Sequence, residues 1–117
     1  IVGCGGNRDK EKRPMMGAIA ARMSTKVLFT SDNPRNEDPE NIIEHMCKGV
    51  EPVDFKKTIS VTQRKEAIKV AYQLSQPGDV VLIAGKGHEN YQEVNGKKLP
   101  FDDYQIAKEI FSKSVNL

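Results

Sequence analysis

The sequence predicts an α/β domain: a Rossmann-like, open, mostly parallel sheet with helices on both faces, finished by a C-terminal β-hairpin and a last helix. Three observations carry this expectation. Short apolar runs alternate with stretches of helical periodicity, the order produced when parallel strands are joined by crossover helices. The run Val80-Val81-Leu82-Ile83-Ala84 is unbroken, as in a strand covered on both faces. Near the end, Asn95-Gly96 lies between two strand-like segments and favours a two-residue hairpin turn.

Taken in order, Ile1-Val2-Gly3-Cys4-Gly5-Gly6 reads as the end of a buried strand entering a Gly-rich turn. It carries neither an initiator Met nor a charged leader, which points to a chain that begins within a longer protein. Pro14 suits the first turn of a helix in which Met15, Met16, Ile19, Ala20 and Met23 share one face as expected core filler. Residues 26–30 form a second strand. Asp38 then caps a helix with Pro39 at its first position, Ile42, Ile43 and Met46 as its buried stripe, and Gly49 at its end. A third strand spans 57–61, with Thr62 as the expected cap of the next helix. That helix turns Ala67, Ile68, Ala71, Tyr72 and Leu74 inward and stops at Pro77-Gly78. Residues 79–84 form the fourth strand, and 91–94 and 97–100 the hairpin. Asp102 and Gln105 have the spacing of a capping box for a final helix bearing Ile106, Ala107, Ile110 and Phe111.

Composition narrows the function. At 117 residues the chain is one domain, and 38% hydrophobic against 29% charged residues is a folded, water-exposed balance. No apolar run is long enough to span a bilayer, so a membrane is not an expected partner. The net charge is +2 with acids interleaved among the bases, which argues against nucleic acid. The one locally cationic stretch is Arg8-Asp9-Lys10-Glu11-Lys12-Arg13. Cys4 and Cys47 give no disulfide framework and read as buried or half-buried thiols in a reducing compartment. No metal-ligand spacing is visible.

If the first, second and fourth strands run parallel, the loops that follow them emerge at one edge of the sheet, where open α/β folds bind ligands. These loops span 5–13, 31–38 and 85–89. The first matches neither the Walker A nor the dinucleotide pattern, and a solvated turn explains it by itself. In the second, Asp32-Asn33-Pro34-Arg35 is as compatible with turn formation as with binding. Turn formation does not explain why Lys86, His88 and Glu89 cluster in the third. Together the loops suit a ligand with a carboxylate and an ammonium. Arg8, Asn33 and Arg35 can hold the first, and Glu89 can counter the second. His88 is an acid/base by type, but nothing links it to a nucleophile or metal.

With these residues assembled, the chain resembles the C-terminal domain of the Mur ligases. The resemblance rests on Gly3-Cys4-Gly5-Gly6-Asn7-Arg8-Asp9-Lys10 with Lys12-Arg13-Pro14, on Asp32-Asn33-Pro34-Arg35, and on Gly85-Lys86-Gly87-His88-Glu89 before Tyr91-Gln92. It covers essentially the whole chain with the motifs in order. It implies a cytoplasmic, ATP- and Mg²⁺-dependent amide-bond ligase of peptidoglycan synthesis, whose other domains receive the nucleotide and UDP-N-acetylmuramoyl-L-alanyl-D-glutamate. Within the family it implies binding of meso-diaminopimelate. Arg8, Asn33 and Arg35 then match positions that hold its distal carboxylate, Gly85 (through its carbonyl) and Glu89 match those that hold its ammonium, and Asp32 and Pro34 count with them among the implied substrate-binding residues. Asp9 and Lys10 are implied to approach the nucleotide. Arg35 is the discriminating residue, because lysine has no distal carboxylate. A single domain of such an enzyme is expected not to turn over. The competing readings are a non-catalytic α/β small-molecule-binding module and a ligase that adds L-lysine.

Overall fold

In the computed structural model, residues 1–112 are described. Strand β1, Val27–Phe29, pairs in parallel with β2, Thr58–Ser60, in the register Val27 to Thr58. On its other side β1 meets the start of the chain through a parallel bridge between Val2 and Phe29. Beyond that, the Ile1 N–H group donates to Leu82 O (2.8 Å) and Ala84 N–H donates to Ile1 O (2.9 Å). One residue flanked by partners two apart is the parallel pattern. The sheet order is therefore 79–84, 1–2, β1, β2, all parallel.

Helices cover both faces. Helix α1 (Lys12–Met23) and helix α2 (Pro39–Cys47) lie on one side, where Val27 and Phe29 pack with Ala21, Ile42, Ile43 and Met46. On the other side Leu28 packs with Ala67 and Ala71 of α3 (Arg64–Leu74). All three residues of β1 are buried, as a central strand requires. A short 3-10 turn at Pro52–Lys57 leads into β2. Strands β3 (Tyr91–Val94) and β4 (Lys97–Pro100) form a separate antiparallel hairpin, and α4 (Asp103–Ser112) packs along α3.

Local chemistry explains several boundaries. The Asp38 carboxylate accepts Glu40 N–H (2.9 Å) with Pro39 behind it, which starts α2 where expected. Asn95 and Gly96 both have positive φ, 50° and 79°, as a type I′ hairpin turn demands. Asp102 Oδ1 accepts Gln105 N–H (3.2 Å) at the start of α4.

Three expectations are corrected. The methionine face of α1 is not core: Met15, Met23 and Ile19 are exposed, while Arg13, Gly17 and Ala21 are buried. The reason is close helix approach. A Cβ on Gly17 would lie 2.0 Å from Met46 O, and one on Gly49 would lie 1.8 Å from Pro14 O. Only the smallest side chains allow α1 to lie so near the end of α2, so the helix turns its small-residue face inward. Thr62 does not cap α3. Gln63 holds that position without a side-chain bond, and the Thr62 carbonyl instead accepts from both hydroxyls of Thr30 and Ser31.

Segment 79–84 runs parallel in place but is not a strand buried on both faces. Among the described residues its pairing with a neighbouring strand consists of the two bonds to Ile1, and Val80 and Leu82 are exposed, whereas Val81 joins the core beside Leu28. Pairing to one residue cannot organise a ladder, and among the described residues nothing packs over its outer face.

Candidate functional site

The parallel order brings the ends of three strands to one edge, and hydrogen bonds lock their loops together. Gly6 N–H donates to Asn33 O (2.7 Å), and a Cβ on Gly6 would sit 1.9 Å from Pro34 O. The first loop thus lies directly on the second, a closeness that only glycine permits. Arg13, 1% exposed, holds the same junction from behind. It donates to Gly5 O (3.0 Å) and to both carboxylate oxygens of Glu37 (2.8 and 3.2 Å). Its Nη1 also lies 3.1 Å from His45 Nδ1. A guanidinium only donates, so Nδ1 accepts and the His45 proton sits on Nε2. Arg13, helped by the Asn7 N–H, holds the Glu37 carboxyl down at about 2.

Arg64 joins the second loop to the third from the opposite face. It forms a bidentate pair with Asp103 of α4 (2.7 and 2.8 Å) and donates to Ser31 O (3.2 Å) and Ala84 O (3.0 Å). Both partners are buried, so the pair is strong in geometry and expensive to break.

The Asp32–Arg35 loop is built against the hairpin. Arg35 has a left-handed backbone, φ 52°, held by its N–H on Glu93 O (2.9 Å) and its carbonyl on Asn95 N–H (2.8 Å). Its Nη1 donates to Gly6 O (2.9 Å), and its Nε lies 3.3 Å from Glu93 Oε2. Among the described residues these contacts engage Nη1 and Nε and not Nη2. Asn33 is buried, with its Nδ2 donating to Glu89 Oε1 (3.4 Å). Gln92 donates to Asp32 O (2.6 Å) and Ser31 Oγ (3.0 Å).

Of the residues expected to act together, Asn33, Arg35 and Glu89 meet at this edge. Arg8 is exposed and adjoins them: a Cβ on Gly5 would lie 2.8 Å from Arg35 Nη1 and 3.4 Å from Arg8 Cγ. Gly85 has φ 117° and faces Asp32, 3.5 Å from its Oδ2 to the position of a Cβ. Pro34 is buried under the first loop, its carbonyl accepting Glu37 N–H (3.0 Å). Asp9 caps its own turn by accepting Glu11 N–H (3.0 Å), and Lys10 reaches Glu37 (3.6 Å) while remaining 65% exposed. His88 is exposed and touches none of these groups. Burial pushes the Cys4 thiol up, which leaves it unreactive. Reading loops alone missed Gln92 and Glu93, because a hairpin strand looks like scaffold. Their sequence signal is a Gln-Glu pair three residues after the third loop, with Gln92 already part of the pattern that carries the resemblance.

The family model for the Mur ligase glutamate ligase domain matches residues 1–87. The chain belongs to the Mur ligase family. This Mur ligase domain is 60% identical over 110 residues to the UDP-N-acetylmuramoyl-L-alanyl-D-glutamate–2,6-diaminopimelate ligase of Cytophaga hutchinsonii, covering 94% of the chain and 23% of that protein. It is 56% identical over 115 residues to the ligase of the same name from Bacteroides fragilis, covering 98% of the chain and 24% of that protein. A solved structure of a ligase of that name superposes with a TM-score of 0.89 at 44% identity, over 97% of the chain and 23% of the other. The Mur ligase domain described here thus spans about a quarter of the length of these relatives. The α/β fold expected from the sequence is the fold of that neighbour.

Proposed function

We propose that this domain is the C-terminal, amino-acid-binding part of an ATP-dependent ligase that adds meso-diaminopimelate to UDP-N-acetylmuramoyl-L-alanyl-D-glutamate. The observation that carries the reading is the meeting of the Asn33 amide, the Arg35 guanidinium and the Glu89 carboxylate at one sheet edge. An amino acid end group presents a carboxylate and an ammonium a few ångströms apart, and this edge offers donors and an acceptor side by side. The names of the relatives point to the same ligand.

On this reading Arg35 and Arg8 receive the distal carboxylate, with the Asn33 amide beside them, and Glu89 with the Gly85 carbonyl receives the distal ammonium. Gripping one end of a two-ended amino acid leaves the other amine free. That amine attacks the acyl phosphate that ATP forms on the D-glutamyl carboxylate. The domain's contribution is orientation, converting an encounter into a positioned attack. Nucleotide and Mg²⁺ belong to the part of the relatives that this chain does not span. Among the described residues no group of three or more His, Cys, Asp or Glu is arranged for a metal.

The test compares ATP-dependent addition of meso-diaminopimelate and L-lysine by the complete ligase carrying this domain. Diaminopimelate is the expected substrate, and Arg35→Ala is expected to lower its kcat/KM by roughly 30- to 1000-fold, about 2–4 kcal/mol, by leaving a carboxylate unpaired. A preference for lysine, or undiminished selectivity in Arg35→Ala, would refute the assignment.

A further inference from the structure

Lys86 stands in the third loop among groups placed at the ligand, yet its side chain is fully buried, 0% exposed. It cannot reach a ligand itself. Three acceptors surround its ammonium: Asn33 Oδ1 at 2.9 Å, the Tyr91 carbonyl at 2.8 Å and Asp32 Oδ1 at 2.9 Å. The first two are hydrogen bonds and the third is an ion pair, so the ammonium, which has donors and no acceptor, is committed to buried protein partners.

The consequence falls on Asn33. Its Oδ1 accepts both from Lys86 and from Glu93 N–H (2.9 Å). Flipping the amide would set its NH₂ against an ammonium and a backbone N–H, leaving buried donors facing each other unpaired. The amide therefore has one orientation, with Nδ2 turned toward Glu89. At the same time the ammonium neutralises Asp32, whose carboxylate would otherwise repel an anionic ligand from this edge.

We propose that Lys86 is a positioning residue for the amino-acid substrate: it fixes the Asn33 amide with its donor toward the ligand and cancels the charge of Asp32. The proposal rests on the reading of Asn33 as a ligand contact. It also explains why a lysine sits where the loop needs a cation that never meets substrate. A methionine there would fill the space without setting the polarity of its neighbour.

The test uses the complete ligase. Lys86→Met is expected to raise KM for meso-diaminopimelate by roughly 10- to 100-fold, with KM for ATP and the UDP-linked dipeptide nearly unchanged, since binding of one substrate alone is lost. Because Lys86 acts through Asn33, Lys86→Met combined with Asn33→Ala should be little worse than Asn33→Ala alone. Multiplying losses in that pair, or KM values for all three substrates rising together, would overturn the proposal.

Asn33→Asp covers the case in which Lys86→Met does not fold. It keeps an acceptor for Lys86 and for Glu93 N–H but replaces the outward donor with an oxygen. An unchanged melting temperature with a KM raised at least tenfold is expected, as one lost charge-assisted bond implies. A wild-type KM for diaminopimelate in either folded variant would overturn the inference. Should the parent enzyme prefer lysine, the functional reading fails instead; if it prefers diaminopimelate and the variants do too, only the role of Lys86 fails.

Discussion

Glu37 shows how a residue outside the ligand edge holds that edge in place. Arg13 and the Asn7 N–H lower its carboxyl from an ordinary 4.5 to about 2. A depressed folded-state value stabilises the fold above the unfolded value and loses that contribution as the pH falls through the folded one. Stability should therefore decline between about pH 4.5 and 2, and Glu37→Gln should flatten that part of the profile in urea titrations at stepped pH. An unaltered acid slope in the variant would count against the contact. Asp103 makes the same point in the interior. Asp103→Ala strands the buried Arg64 guanidinium and is expected to cost about 3–5 kcal/mol in chemical denaturation. The sequence made Arg35, Asn33 and Glu89 visible because motif spacing and charge are local. The partners that hold Asn33 and Arg35, Lys86 and Glu93, were not visible as such, because a lysine at 0% exposure and a lysine in water read identically in sequence.

Among the elements, α1 and segment 79–84 teach most. A glycine inside a helix normally invites replacement by alanine, which gains about 1 kcal/mol from propensity. At Gly17 the sign should reverse, because the added Cβ would meet Met46 O at 2.0 Å. Gly17→Ala is expected to destabilise by about 1–3 kcal/mol as overpacking, read as a lower denaturation midpoint at unchanged slope. A stabilised variant would show that the two helices are not in close contact. Periodicity located α1 correctly yet assigned the wrong face, since three methionines and one isoleucine outweigh a glycine and an alanine on any hydrophobic scale. The deciding term was interhelical distance, which no single-helix pattern contains. Segment 79–84 was read as buried from its composition, but burial depends on what lies opposite.

At the scale of the whole molecule, the two clamps act as one device. Arg13 with Glu37 ties the first loop to the second, and Arg64 with Asp103 ties the second to the third, so the edge is assembled from both faces of the sheet. On the proposed reading that edge supplies contacts to one substrate only. The 117-residue chain by itself is expected to bind diaminopimelate weakly and to form no amide bond; ATP-dependent phosphate release from it would contradict the proposed division of labour. No helix among the described residues is long and apolar enough to cross a membrane.

The sequence by itself determined the order of elements, the Asp38 cap, the Asn95-Gly96 turn and the set of loops that share an edge. The cap and the turn depend on residues within a few positions of one another, where backbone preference and short side-chain bonds decide, and the shared edge follows from the parallel order that the alternation of strands and helices implies. Only the tertiary structure decided which face of α1 is buried, that Lys86 turns inward, and that a hairpin strand backs Asn33 and Arg35. Those outcomes depend on atoms from distant parts of the chain, Met46 against Gly17 in the first case and Lys86 and Glu93 against Asn33 in the others, through close approach and burial that local spacing does not encode.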